Sequence, residues 1–178
     1  MKWRCIGFSG TCSKTAFAKH LLKGSTHLAA GLVAAVVLQT EPTLVVTTGV
    51  AIGALLPDID SSTSLVGRYI PVSPSVLKHR TITHTFWLAA VLAVICPPIA
   101  VGVMTHLILD VLNPEGLHPF WPVKWKLRIP GISYLMPSGG LVDRLIGAVC
   151  WIYVLWTGLC IATQHPLPLL PANRFTIW

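Results

Sequence analysis

Residues 99–112, "IAVGVMTHLILDVL", decide how the chain is read. The run is apolar enough for a buried or membrane helix, yet His106 and Asp110 sit inside it, four residues apart and so on one helical face. An acid there is conspicuous because the 178-residue chain has only 6 Asp and Glu. Ionisable groups in apolar helices are costly and mark function by default. A buried structural hydrogen bond between the two is the competing explanation, and the pair alone does not separate them.

Four more apolar runs flank this one: residues 26–40, 43–57, 82–96 and 141–163. Composition agrees with a membrane setting. The chain is 53% hydrophobic and 11% charged, with a mean hydropathy of +0.70, whereas soluble domains carry about 25% charged residues. The expected fold is an all-α integral membrane bundle of about five short hydrophobic helices, arranged as two hairpins plus a C-terminal helix. Glu41-Pro42 and Pro97-Pro98 supply the hairpin turns, because proline interrupts continuous helix. The first four runs fall short of the roughly 20 residues that span a bilayer, so each hairpin either crosses on a tilted path or dips in; the fifth is long enough to cross alone. The predicted division is a basic N-terminal segment, 1–23, a membrane-embedded domain, 24–163, and a Pro-rich tail, 164–178.

The net charge of +7 is explained by topology. Lys2, Arg4, Lys14, Lys19 and Lys23 precede the first run, Arg68, Lys78 and Arg80 lie between the second and third, and Lys124, Lys126, Arg128 and Arg144 lie between the fourth and fifth. Only Arg174 falls elsewhere. The positive-inside rule then puts the N-terminus and both long loops in the cytoplasm, beside anionic lipid, and no nucleic-acid partner is expected. The cysteines are odd in number, at 5, and widely spaced, which argues against a disulfide framework.

On this map the other polar residues converge. His27 opens the first run, Asp58 and Asp60 close the second, His79 and His84 flank the start of the third, and His106 and Asp110 close the fourth. His118 and Asp143 follow at the same end. The map was drawn from Lys and Arg alone, so their common level is an independent sign of a shared site. Carboxylates with imidazoles suit Zn, Mn, Fe or Mg, and Arg80 beside a helix start suits an anion. Such a set builds a phosphoester or related hydrolytic site.

The ordered motifs "THLAAG", "GALLPDID", "HRTITHT" and "HLILDVLNPEGLHPFWP" resemble the YdjM-like family of bacterial inner-membrane proteins, described as metal-dependent hydrolases and in some names linked to LexA. The resemblance covers roughly residues 24–145. It implies an inner-membrane hydrolase with a divalent metal, foremost Zn, held by His27, Asp58, Asp60, His79, His84, His106 and Asp110. His118 and Asp143 are possible additions, although Asp143 stands where the family often has a glutamate. Asp60 or Asp110 would act as base and Arg80 would hold the anionic group. The expected substrate is a phosphoester or lipid headgroup at the cytoplasmic face. The alternative is a non-enzymatic membrane protein that binds a metal or anionic lipid as transporter, sensor or scaffold.

Overall fold

The computed structural model describes residues 14–38, with side chains from 24 onward, together with 43–61, 64–67, 82–129, 131 and 139–163. His79, Arg80, the Glu41-Pro42 turn, the first 13 residues and the tail 164–178 lie outside them. The described residues form five α-helices and no extended strand: α1 Lys14–Leu38, α2 Leu44–Leu55, α3 Phe86–Ile95, α4 Pro97–Val111 and α5 Leu141–Thr163. Two short 3₁₀ turns, Pro57–Asp60 and Ile82–His84, connect them.

Each apolar run became a helix, with two shifts of boundary. α1 begins at Lys14, well before the apolar run that predicted it, so half of the basic N-terminal segment is helical. Pro97 and Pro98 open α4 instead of forming a separate turn. The first helical positions have no amide bond to lose and suit the fixed φ of proline, and Cys96, at φ −150° and ψ 85°, makes the break alone. Threonines start the helices on either side of the bundle: Thr43 Oγ1 accepts from the Val46 amide at 3.3 Å, and Thr85 Oγ1 from the Leu88 amide at 3.4 Å.

α2 and α4 form the tightest crossing. A Cβ at Gly53 would lie 2.0 Å from the Ile99 carbonyl oxygen, and one at Gly102 would lie 2.2 Å from that of Val50. Gly49, one turn before Gly53, abuts Pro98 in the same way. This small-residue stripe, Gly-x-x-x-Gly on α2 facing Gly102 on α4, lets the two backbones touch, as it does between helices in lipid. α1 lies across both, and α5 packs on α1 through Gly147, whose Cβ would sit 2.7 Å from Thr26 Oγ1. A core of Ala89, Val103, Leu107 and Leu117, with Phe86 and Ile99 packed against it, lies beside the polar residues.

The outward faces of the described helices are largely apolar. On α5, Leu141, Leu145, Val149, Ile152, Leu155, Trp156, Leu159 and Ile161 are exposed, as are Leu44 and Val45 on α2 and Val94 and Ile95 on α3. α5 has 23 residues, about 35 Å at 1.5 Å per residue, enough to cross a hydrocarbon core of about 30 Å. α3, with 10 residues, reaches about half that depth.

Candidate metal centre

The close contact of α2 and α4 sets up the centre. Ala54 lies in the last turn of α2, where carbonyls have no partner within the helix. His106 Nδ1 meets the Ala54 carbonyl at 2.7 Å. A carbonyl only accepts, so Nδ1 carries the proton and Nε2 turns a lone pair inward. One helical turn on, Asp110 follows on the same face.

His84 is fixed by the same logic through a different partner. Thr83 Oγ1 donates to Asp60 Oδ2 at 2.8 Å, so its lone pair is left to accept from His84 Nδ1, at 3.0 Å. His84 Nε2 therefore also offers a lone pair. Asp58 is set by the 3₁₀ turn after Pro57: Ser64 Oγ donates to the Asp58 carbonyl at 2.6 Å and accepts from the Gly67 amide at 2.9 Å. Asn113 Nδ2 donates to Asp110 Oδ1 at 2.8 Å, one turn along from the acid. His27 stacks on the His106 ring with centroids 4.1 Å apart.

These elements converge on one point. His84 Nε2 lies 3.4 Å from Asp110 Oδ2 and 3.6 Å from Asp58 Oδ1. His106 Nε2 lies 3.7 Å from Asp110 Oδ2 and 3.8 Å from Asp58 Oδ1, and His27 Nε2 lies 3.8 Å from Asp110 Oδ1. All five are buried: His84 is 0% exposed, His106 and Asp110 1%, His27 4% and Asp58 8%.

The distances are compatible with a shared cation between these groups. A charge-assisted N–H···O bond is about 2.7–2.9 Å long, shorter than any of the contacts. Bonds of about 2.1 Å to a tetrahedral metal put neighbouring ligand atoms roughly 3.4 Å apart, at the lower edge of the observed set. His106 Nε2 makes no hydrogen bond among the described residues. Two overlapping ligand sets result, His27, His106 and Asp110, and Asp58, His84 and His106, each with its ligand atoms within 4.8 Å of one another. His106 serves both, and with Nδ1 engaged it has one nitrogen to give, so the sets describe a single centre. Burial works to raise the Asp58 carboxyl, but the polar contact with His84 and the electrostatic pull of the His106, His27 and His84 rings outweigh it. They hold the group well below the usual carboxylate range, so Asp58 is anionic at neutral pH.

The structure thus brings together His27, Asp58, His84, His106 and Asp110 of the residues expected from sequence. Asp60 joins them through Thr83 and stands outside both ligand sets. Asp143 has another role: its Oδ2 accepts from the Gly139 amide at 2.6 Å, just before α5 begins, which secures the start of that helix. His118 is half-buried in the loop after α4 and outside both sets. His79 and Arg80 lie outside the described residues. Sequence reading missed Asn113 and the Ala54 carbonyl. Asn113 was accessible from its spacing three residues after Asp110, whereas a backbone carbonyl leaves no trace in a sequence.

The profile of a family described as "YdjM inner membrane protein" matches residues 22–166. An uncharacterized Bacillus subtilis (strain 168) protein, YvsG, is 29% identical, the match covering 70% of this chain and 87% of that one. The inner membrane protein YdjM of Escherichia coli (strain K12) is 28% identical, covering 68% of each chain, and its Shigella flexneri counterpart scores the same. No solved structure matches.

Proposed function

The chain belongs to the YdjM inner membrane protein family, and from that premise we propose that it is a metal-dependent hydrolase acting on a phosphoester or lipid headgroup. The observation that carries the reading is the buried cluster of three imidazoles and two carboxylates, with nitrogens and oxygens 3.4–3.8 Å apart where paired. Two buried carboxylates need a compensating charge, which a divalent cation would supply. Imidazole and carboxylate together favour Zn, with Mn, Fe or Mg as alternatives.

His27, His84, His106, Asp58 and Asp110 would hold the metal, which when bound supplies Lewis-acid polarisation of a phosphoryl oxygen and acidifies water. The remaining roles belong to the chain. Both oxygens of Asp110 are engaged, Oδ1 with Asn113 and Oδ2 facing His84 and His106, which favours ligation over a role as base. Asp60, through Thr83, orients His84. Asp58, with its side chain 11% exposed against 2% for Asp110, is the more solvent-accessible of the two ligand carboxylates. Arg80, four residues before His84, would hold the anionic group. The apolar exterior of α2, α3 and α5 supports an embedded chain that meets lipid, crossing more than once, with the N-terminus and centre on the cytoplasmic side as the Lys and Arg distribution requires.

Purified protein in detergent, incubated with phospholipids and soluble phosphoesters, tests the reading. Metal-dependent product release by the wild type, absent in His106→Ala and Asp58→Ala, is expected. Burial of the whole cage favours a second reading, a metal-binding membrane protein without turnover. Bound metal with no hydrolysis of any of these substrates would select it, and no bound metal would remove both. Modification of a Cys at position 43 by an impermeant reagent from the periplasmic side only, and of Cys12 from the cytoplasmic side only, is the expected topology.

A further inference from the structure

The loop between α4 and α5 carries a second pattern that the metal centre does not use. Residues 123–128 read "VKWKLR", strict alternation of apolar and basic side chains. Leu127 is held in an isolated antiparallel bridge: its amide donates to the Leu117 carbonyl at 2.7 Å, and the Leu117 amide donates to the Leu127 carbonyl at 2.9 Å. Extended backbone sends successive side chains to opposite sides, with alternate residues about 7 Å apart, so about the Leu127 bridge Lys126 and Arg128 fall on one side and Leu127 on the other, and the sequence pattern continues this alternation to Lys124 and Trp125. Gly116 confirms the sidedness, because a Cβ there would meet both Lys126 Cε, at 3.0 Å, and Arg128 Cβ, at 3.2 Å.

The apolar side is built of aromatics. Trp125 stacks on Phe120 with centroids 5.7 Å apart and planes 9° apart. Phe86 and Trp87, at the start of α3, meet Phe120 edge-on at 5.5 and 6.0 Å. The Phe86 amide donates to the Pro119 carbonyl at 2.9 Å, fastening the loop to the bundle. Yet the assembly is not buried: Trp87 is 58% exposed, Trp125 53% and Trp121 39%. Lys124, Lys126 and Arg128 are all exposed. Glu115 is the one acid among residues 111–142, so the positive charge of the ribbon stands in excess.

Tryptophans with half-open faces beside a row of cations match the headgroup level of a bilayer, where amphipathic rings settle and anionic lipids gather basic side chains. We infer that residues 117–129 form a clasp for anionic phospholipid headgroups, with Lys124, Lys126 and Arg128 binding the phosphates and Trp125, Trp121 and Trp87 set at the boundary with the acyl chains. The clasp is independent of the metal centre: its residues and ligand are different, and it would operate in a protein with no turnover.

The test uses the full chain in neutral detergent, titrated with short-chain phosphatidylglycerol and phosphatidylcholine and read by native mass spectrometry. Each basic residue near an anionic headgroup contributes a factor of about 5 in affinity. The wild type should favour phosphatidylglycerol by about a hundredfold, the product of three such factors, and the triple variant Lys124→Gln, Lys126→Gln, Arg128→Gln should lose that preference. Its phosphatidylcholine binding should be unchanged. Replacing the three residues by Arg, Arg and Lys should keep the preference, which separates charge from any change in fold. Added salt should weaken the wild-type preference. Equal binding of the two lipids, a triple variant that retains the preference, or tighter capture of a single-stranded oligonucleotide than of phosphatidylglycerol would overturn the inference.

Discussion

α4 and α5 are both apolar helices with an aspartate near one end, and the two aspartates do opposite things. Asp110, near the C-terminal end of α4, is 1% exposed and faces three histidines within 3.4–3.8 Å. Asp143, in the first turn of α5, bonds the amide of Gly139 and stays with its own helix. The difference lies in what packs against each helix. α4 touches α2 backbone to backbone and lies against α1, so its polar face is enclosed by other polar ends. α5 meets only part of α1 and turns most of its length outward. An acid in an apolar helix joins a polar cluster when neighbouring elements bring histidines to it, and serves as a cap when they do not.

The comparison breaks first at the glycine crossing. Gly102→Leu would drive a branched side chain into the Val50 carbonyl and Ala54 amide, 2.2 and 2.6 Å from where even its Cβ would lie. Overpacking costs about 1–3 kcal/mol and occasionally more. Here it would also withdraw His106 from Ala54, so both metal binding and thermal stability in detergent should fall. A Gly102→Leu protein with wild-type metal content would show that the crossing does not set the centre. Next in size, removal of a ligand by Asp110→Ala should reduce metal affinity by more than the 10–100-fold typical of groups that only support ligands, as measured by competition with a chelator.

The supporting groups come next. Thr83→Val and Asn113→Ala should each weaken metal binding by about 10–100-fold. Thr83→Ser, which keeps the hydroxyl, should restore it; a Thr83→Val protein with undiminished affinity would remove the Asp60–Thr83–His84 chain from the account. Acid should act through the imidazoles. Metal requires them neutral, so affinity should fall as acid protonates them. Asp58 stays ionised meanwhile because its carboxyl is held low. A metal affinity that stays constant under acid for as long as the fold persists would contradict histidine ligation. Smallest of all, Asp143→Ala should cost about 1 kcal/mol or less, the scale of a lost terminal contact, and leave metal binding unchanged. Loss of metal in that variant would erase the contrast between the two helices.

Much of this arrangement was legible in the sequence. The five apolar runs predicted the five helices, and the Lys and Arg map grouped His27, Asp58, His84, His106 and Asp110 at one level, where the structure finds them within a few ångström. Chemistry explains the success: titratable groups are too costly to scatter through apolar helices, so they cluster. What the sequence concealed depends on three-dimensional contact. The prolines at 97 and 98 look like a turn but serve as helix starts. Asp60 reads as the twin of Asp58, yet two residues along a 3₁₀ turn suffice to aim its carboxylate at Thr83. Asp143 lies beside α1, where Thr26 Oγ1 reaches its carbonyl at 3.5 Å, yet its carboxylate is spent on the Gly139 amide. The tautomer of His106 rests on a carbonyl that every residue possesses.

The account rests on a cation in the cage between α1, α2, the turn before α3, and α4. The direct measurement is the metal content of the purified full-length chain by elemental mass spectrometry, after loading with Zn and exhaustive desalting, beside the double variant His106→Ala, Asp110→Ala. About one divalent metal per wild-type chain and close to none in the folded double variant is the result expected for a single closed site. Equal metal in the two proteins, or none in either, would contradict it.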